Sequence, residues 1–136
     1  MCIFCSIVKG DIPSYKIYED DEFLAFLDIS QAEIGHTLVV PKKHYDNFLE
    51  MDDETAEKMI VLVKKLANKI KIATNASGIN ILNNNGITAG QSVNHVHYHI
   101  IPRYENDDLV IKFTEHKLSE KEFNDLKDKI TKQKRL

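Results

Sequence analysis

Short apolar runs separated by polar turns open the chain, and one long amphipathic stretch divides it. Residues 15–18 (Tyr-Lys-Ile-Tyr), 23–29 (Phe-Leu-Ala-Phe-Leu-Asp-Ile) and 36–40 (His-Thr-Leu-Val-Val) are apolar and β-prone, which predicts three short strands. The acidic turn Glu19-Asp20-Asp21 separates the first two, and Gly35 and Pro41 bracket the third. Around residues 7–9 a short helix is expected, ending near Gly10 and Pro13. A long helix follows, capped by Asp52 or Asp53. Ala56, Met59, Ile60, Val63, Leu66, Ala67 and Ile70 recur at the spacing of one buried face, with Lys58, Lys64, Lys65 and Lys69 largely on the other. Residues 75–78 end it, Gly78 supplying a permissive backbone. The stripe reads as core, and a homodimer contact through part of it is the sharper alternative.

Residues 79–82 predict a strand and residues 83–91, rich in Asn and Gly, a loop. The next strand is expected over about 93–101, stopping at Pro102. Near the end, Ser119-x-x-Glu122 has the form of a capping box, with Phe123, Leu126 and Ile130 as a helical stripe over about 119–132. The basic tail after it reads as a solvated end. There is no internal repeat and no interdomain linker.

At 136 residues the chain has the length of one domain, and 43% hydrophobic content suffices for a core without disulfides. Eighteen basic residues against 21 acidic ones, a net charge of −3, argue against a general nucleic-acid binder. No stretch approaches the roughly 18 apolar residues of a membrane span, and the N-terminus lacks a basic region followed by an apolar run. A cytoplasmic protein with neither nucleic-acid nor membrane partners is therefore expected. The only two cysteines are spaced Cys2-x-x-Cys5, a pattern that reads as metal binding or redox chemistry before a structural disulfide. Thioredoxin-like motifs follow a strand, so the redox reading is the weaker one.

Three of the six histidines fall within five residues, His95-Val96-His97-Tyr98-His99. On a strand, alternate side chains share a face, so His95, His97 and His99 form a row with Val96, Tyr98 and Ile100 behind it. Two chemistries fit such a row. One is metal ligation by His-x-His with a further ligand from elsewhere. The other is nucleophilic attack on phosphorus by an imidazole, whose unperturbed pKa of about 6.5 leaves it mostly neutral at pH 7. The preceding loop favours the second. Gly86 and Gly90 permit close backbone approach, Gly90-Gln91-Ser92 can present N–H groups, an amide and a hydroxyl, and Asn83, Asn84 and Asn85 add neutral donors.

The run His95-Val-His-Tyr-His-Ile-Ile resembles the signature of the histidine-triad (HIT) family of nucleotide hydrolases and transferases. Ile3-Phe4, Ile12-Pro13, residues 18–21, Leu24-Ala-Phe26, Asp28-Ile-Ser30, residues 36–44 and Gly90-Gln-Ser-Val93 resemble its nucleoside-phosphoramidase (Hint) branch, so that roughly residues 3–103 are covered. The resemblance implies an α+β fold: an antiparallel sheet with one long helix and a short N-terminal helix, the sheet extended across a homodimer. Residues 104–136 would be a C-terminal extension of the same domain. It implies that His97 is the nucleophile, forming a nucleotidyl-histidine that water resolves. His99 would contact the phosphate, Ser92 would stand by the leaving group, and His36 matches a further histidine on the active-site side. Asn84, Gly90 and Gln91 fall at the phosphate, and Asp28 matches a carboxylate that holds the ribose hydroxyls. Phe4, Ile7, Phe26 and Ile29 match an apolar base pocket. The implied activity is release of a nucleoside monophosphate from purine nucleoside phosphoramidates. Alternatives are hydrolysis of dinucleoside polyphosphates, a nucleotide-binding module with little turnover, and a three-histidine metallohydrolase with His97 as ligand.

Some prokaryotic members of this family carry a structural zinc. Cys2, Cys5, His44 and His95 match its ligands, a closed tetrahedral set with no position left for a substrate water. On that reading His95 belongs to zinc and His97 stays free for phosphorus. His116 reads as a surface residue.

Overall fold

A computed structural model describes residues 2–135. Its elements run α1 (Ile3–Lys9), β1 (Lys16–Glu19), β2 (Phe23–Leu27), β3 (Thr37–Pro41), α2 (Asp53–Thr74), β4 (Gly78–Asn83), β5 (Tyr98–Arg103) and α3 (Glu120–Thr131). The five strands form one antiparallel sheet in the order β1-β2-β3-β5-β4. The α+β architecture expected of the chain is the one found. A three-residue turn joins β1 to β2 and a nine-residue loop joins β2 to β3, making the three a meander. The last strand, β5, then inserts between β3 and β4, with His99 opposite Leu38 on one side and Leu82 on the other.

Both faces of the central strands are covered, which is why β2 and β3 are apolar almost throughout. On one face Phe23, Ala25, Val39, Tyr98 and Ile100 pack against Met59, Leu62, Val63, Leu66, Ala67 and Ile70 of α2. On the other, Leu24, Phe26, Leu38 and Val40 pack against Phe4 and Ile7 of α1. The Asp52 carboxylate caps α2 by accepting from the Thr55 N–H at 3.0 Å. Two details of that helix differ from expectation. Ile60 is 44% exposed and Leu62 is buried in its stead: the two flank the face of Met59 and Val63 on opposite sides, and only the Leu62 side joins the core against the sheet. The stop comes from Asn75 at φ 56°, before Gly78, which already begins β4.

The larger correction concerns the histidine run. The strand expected over about 93–101 is Tyr98–Arg103, so His95 and His97 precede it and only His99 is laddered. Residues 93–97 are instead hung on other parts of the chain, for example by the Val96 N–H donating to the Tyr45 carbonyl at 2.9 Å. Alternation nevertheless survives: Val96, Tyr98 and Ile100 face α2, whereas Phe4 of α1 meets the His95 and His97 rings edge-on at 6.0 and 5.1 Å. Nor does Pro102 end the strand. The β3 ladder stops at Ile100, so Pro102 lies where β5 is paired on one side only, and a missing N–H is tolerated there.

Beyond β5 the Arg103 guanidinium grips both Asp107 carboxylate oxygens at 2.8 and 2.9 Å, Asn80 Oδ1 at 2.7 Å and the Leu109 carbonyl at 2.6 Å. The Leu109 N–H donates to Glu33 at 3.1 Å, and Val110, Ile111 and Phe113 line a groove with Asn80, Ile81 and Leu82 before the chain leaves the body. The helix α3 has a complete capping box between Ser119 and Glu122, yet none of its residues is buried, and Phe123, Leu126 and Ile130 are exposed. No helix among the described residues is long and apolar enough to cross a membrane.

Candidate active site

His97 sits at the centre. Its Nδ1 lies 2.8 Å from the His95 carbonyl, an atom that only accepts, so Nδ1 carries the ring proton and Nε2 keeps its lone pair. The Asn83 amide donates to the His97 carbonyl at 3.0 Å, fixing the backbone, and Phe4 stands against the ring. The residue is only 4% exposed, and burial lowers its pKa against the opposing pull of the His95 hydrogen bond and Asp28. A neutral imidazole with one free nitrogen is the form a nucleophile requires.

His99 is set by a longer chain. The Ala32 N–H donates to His36 Nδ1 at 3.1 Å, so His36 carries its proton on Nε2 and donates it to His99 Nδ1 at 2.9 Å. The neutral His99 must then present an N–H at Nε2. Burial, reinforced by His97 and His36, pushes the His99 pKa down to about 4; burial likewise lowers His36, whereas Asp28 pulls it up. Asp28 Oδ2 is 3.7 Å from His36 Nε2, while its Oδ1 accepts from the Ser30 N–H at 2.8 Å.

The loop between β4 and the histidines takes two left-handed turns, at Gly86 (φ 91°) and Gly90 (φ 92°), where a side chain would strain the backbone. Not all of its expected donors face a ligand. Asn83 is committed to His97, and Asn85 bonds Asn83 and the Phe48 N–H. Gln91 is 6% exposed, and its amide is turned into the loop. It bonds the Gly86 N–H and the Asp46 and Val93 carbonyls, so it has no donor left for a phosphate. Asn84 remains beside Gly90, its amide 3.4 Å from the Gly90 carbonyl. Ser92 is exposed and lines an open cleft with Cys2, Ile3, His44, Val93 and Asn94.

The residues expected at a base divide. Phe4, Ile7 and Phe26 are buried together, Phe4 and Phe26 edge-to-face at 5.8 Å. Ile29 is 86% exposed and outside that cluster, because it lies past the end of β2 where no helix covers the chain. His116 is exposed in the extended segment before α3.

A second cluster adjoins the first. Cys2 Sγ, Cys5 Sγ, His44 Nδ1 and His95 Nδ1 lie within 4.8 Å of one another. His95 Nδ1 is 3.3 and 3.5 Å from the two sulfurs and 3.2 Å from His44 Nδ1, which is 3.4 Å from Cys5 Sγ. Tetrahedral zinc, with bonds of about 2.0–2.1 Å to nitrogen and about 2.3 Å to sulfur, spaces its ligand atoms about 3.3–3.8 Å apart. The far ring nitrogens complete the case. His95 Nε2 donates to the Pro41 carbonyl and His44 Nε2 to Asp46 Oδ1, each at 2.8 Å, so both Nδ1 lone pairs converge. At Cys2 burial opposes ionisation, but hydrogen bonds from Cys5 and His44 outweigh it and leave the thiol pKa below its ordinary value. Asp28, His36 and His99 are as closely grouped, yet the Ala32 N–H places the His36 proton on Nε2, the atom that would have to ligate. Donor set and tautomers therefore fit a metal at the first cluster and not at the second. Asp46 and the Ala32 N–H were not anticipated. An acid two residues after His44 was a visible signal, but a backbone donor leaves none.

A helix-backed antiparallel sheet that sets a buried histidine centre beside a glycine-turned loop defines an α+β domain with a histidine-based site. A family model described as the HIT domain matches residues 9–106, and the chain belongs to the HIT family. It is 56% identical over 115 residues to an uncharacterised HIT-like protein of Methanocaldococcus jannaschii, covering 85% of this chain and 88% of that one. With a protein of Schizosaccharomyces pombe named adenosine 5'-monophosphoramidase it shares 48% identity over 102 residues, 75% of this chain and 74% of the other. Among solved structures, one from Streptococcus mutans superposes with a TM-score of 0.92 at 49% identity, over 96% of this chain and 83% of that one. A histidine-triad protein of Mycobacterium smegmatis described as zinc-bound gives 0.76 at 40% identity, over 82% and 81%.

Proposed function

We propose that the protein hydrolyses purine nucleoside phosphoramidates or related nucleotides through a nucleotidyl-histidine at His97. The observation that carries this reading is the pairing of tautomers. His97 Nδ1–H is held by the His95 carbonyl, which aims a free Nε2 lone pair, and His99 beside it offers an N–H at Nε2. In the first step Nε2 attacks the α-phosphorus and the bond to the leaving amine breaks, Ser92 standing by that group as donor. Water then attacks the same phosphorus and gives up one proton, which replaces the proton that the nitrogen took up as it left as the amine. The phosphorus–imidazole bond breaks, and the monophosphate leaves with His97 regenerated. His99 Nε2–H and the Asn84 and Gly90 region stabilise charge on the phosphoryl oxygens. Asp28 accepts from the ribose hydroxyls, and Ile29 with the Phe4, Ile7 and Phe26 cluster flanks the base. The relative named as a phosphoramidase supports this substrate class over dinucleoside polyphosphates.

Cys2, Cys5, His44 and His95 would hold one zinc ion, whose contribution is structural: it ties the N-terminus to the histidine segment. The domain would act as a homodimer. Its β4 edge is unpaired, exposes Ile81 and Leu82 and carries no charged residue, which leaves it open to a second copy.

The test uses an adenosine phosphoramidate labelled on the α-phosphate. Acid-labile label on the protein and release of adenosine monophosphate, both absent in His97→Ala, are expected. Turnover without adduct, abolished by chelation while the fold survives, would replace this reading with a metal-dependent hydrolase.

A further inference from the structure

The histidine segment lies outside the β5 ladder, and the phosphate-side loop belongs to no strand, so both need anchors elsewhere. Residues 44–48 supply them. The Tyr45 carbonyl takes the Val96 N–H, the Asp46 carbonyl takes the Gln91 amide at 2.6 Å, and the Phe48 N–H donates to Asn85. His44, at the head of this stretch, is one of the four clustered metal donors.

Asn85 bridges the Phe48 N–H to Asn83, and the Gln91 side chain bridges further, joining residues 44–48 to both the Gly86 turn and Val93 beside the histidines. Gln91 Nε2 donates to the Asp46 carbonyl and to the Val93 carbonyl, and its Oε1 accepts from the Gly86 N–H at 2.8 Å. The Gln91 N–H returns the bond to the Gly86 carbonyl at 3.1 Å, closing the turn from Gly86 to Gln91 on itself. Both amide protons are used, in a side chain with almost no solvent contact. Loss of a buried donor here leaves carbonyls unpaired, which penalises the loop geometry directly.

We infer that Gln91 is a positioning residue that couples metal occupancy at Cys2, Cys5, His44 and His95 to the shape of the Gly86–Ser92 loop. When His44 is ligated, Asp46 is fixed, Gln91 is fixed against it, and Gly86 and Gly90 hold the conformation that receives a phosphate. Without the metal, residues 44–48 lose their anchor and the loop loosens. Only the last link, from loop shape to phosphate, rests on the nucleotide reading above.

The experiment follows the Gly86 N–H by hydrogen exchange in the zinc-loaded and chelator-stripped protein, and measures binding of adenosine monophosphate in parallel. Stripping is expected to speed exchange at Gly86 and to weaken binding, each about tenfold, the ~1.4 kcal/mol of a modest coupling. Gln91→Leu should show fast exchange and weak binding in both states while still holding about one zinc per chain. A second variant, Gln91→Glu, keeps the acceptor for Gly86 but loses the donors to Asp46. With a carboxylate oxygen set against the Asp46 and Val93 carbonyls, its Gly86 exchange should be faster than in the wild type and no longer depend on zinc. At equilibrium with a competing chelator, adenosine monophosphate should raise zinc affinity about tenfold in the wild type and not in Gln91→Leu, since the coupling of binding free energies is reciprocal. Gly86 exchange independent of zinc in the wild type, or unchanged coupling in Gln91→Leu, would overturn the inference. Zinc-dependent exchange without any nucleotide binding would leave the coupling standing and sink the nucleotide reading instead.

Discussion

The two histidine clusters use the same side chain for opposite ends, and the difference lies in the far nitrogen of each ring. Around Cys2 and Cys5, the Pro41 carbonyl and Asp46 draw the protons of His95 and His44 outward, and two lone pairs are left facing one point. Around Asp28, a backbone N–H from Ala32 caps His36 instead, and the proton is passed inward to His99. Acceptors behind a histidine make a ligand; a donor behind it makes a hydrogen-bond donor in front. Side-chain grouping alone does not distinguish them.

Exchanging the roles is the strongest way to break this contrast. His97→Ala should cut turnover by about three orders of magnitude or more, with folding and zinc content intact, as expected when a nucleophile is removed. His95→Ala should do the reverse, losing zinc first and activity with it; elemental analysis beside kinetics separates the two. Next in size, Cys5→Ser should release the metal and lower the melting temperature by roughly 10 °C, the effect of about 3 kcal/mol of lost binding linkage. Calorimetry reads it, and an unchanged Tm in zinc-depleted wild type would count against a structural metal.

His36→Phe keeps a ring but removes the donor that sets the His99 tautomer. Turnover should fall by about 10–100-fold with zinc unchanged, a loss on the scale of one misplaced proton donor. Acid should act through the same buried rings. His99 titrates at about 4 in the fold, and His36 and His97 are also lowered by burial, so the unfolded chain binds more protons from about pH 6.5 down to about pH 4. The stability these histidines contribute is therefore full above about pH 6.5, falls as pH drops through that window, and levels below it. There the depressed Asp52 and Asp107 carboxylates take over the acid loss. Denaturant unfolding of the wild type and His99→Asn across that range checks the sign, the variant showing the shallower fall. Smallest of all, Asp46→Ala should weaken zinc binding about tenfold and leave the His36 chain untouched, because it removes only the partner behind His44.

Much of the frame was legible because burial imposes periodicity. The β1–β3 meander, the α2 stripe apart from Ile60, and the capping box of α3 each follow from spacing that a packed face or a cap requires. Residues 93–97 misled because His-Val-His-Tyr-His alternates like a strand, and alternation reports which way side chains point rather than where N–H groups go. That is why the two faces of the run could be foreseen and its ladder could not. Gln91 was opaque for a related cause. An amide beside two glycines reads as a donor to ligand, and only the Asp46 and Gly86 backbones, distant or turned back in sequence, reveal where it points. The four clustered donors were nameable from sequence, whereas the Ala32 N–H that separates the clusters carries no side-chain signature at all.

The Arg103 clasp has a consequence for how such a chain can vary. By gripping Asp107 and the Leu109 carbonyl, it finishes the domain's own cohesion at that point, and the residues of α3 bury nothing on the body. Past the groove that residues 109–111 and 113 line with Asn80, Ile81 and Leu82, α3 is thus released from the constraints of packing that hold the sheet. Shortening or changing α3 would therefore disturb none of the hydrogen bonds that set His97, His99 and His36.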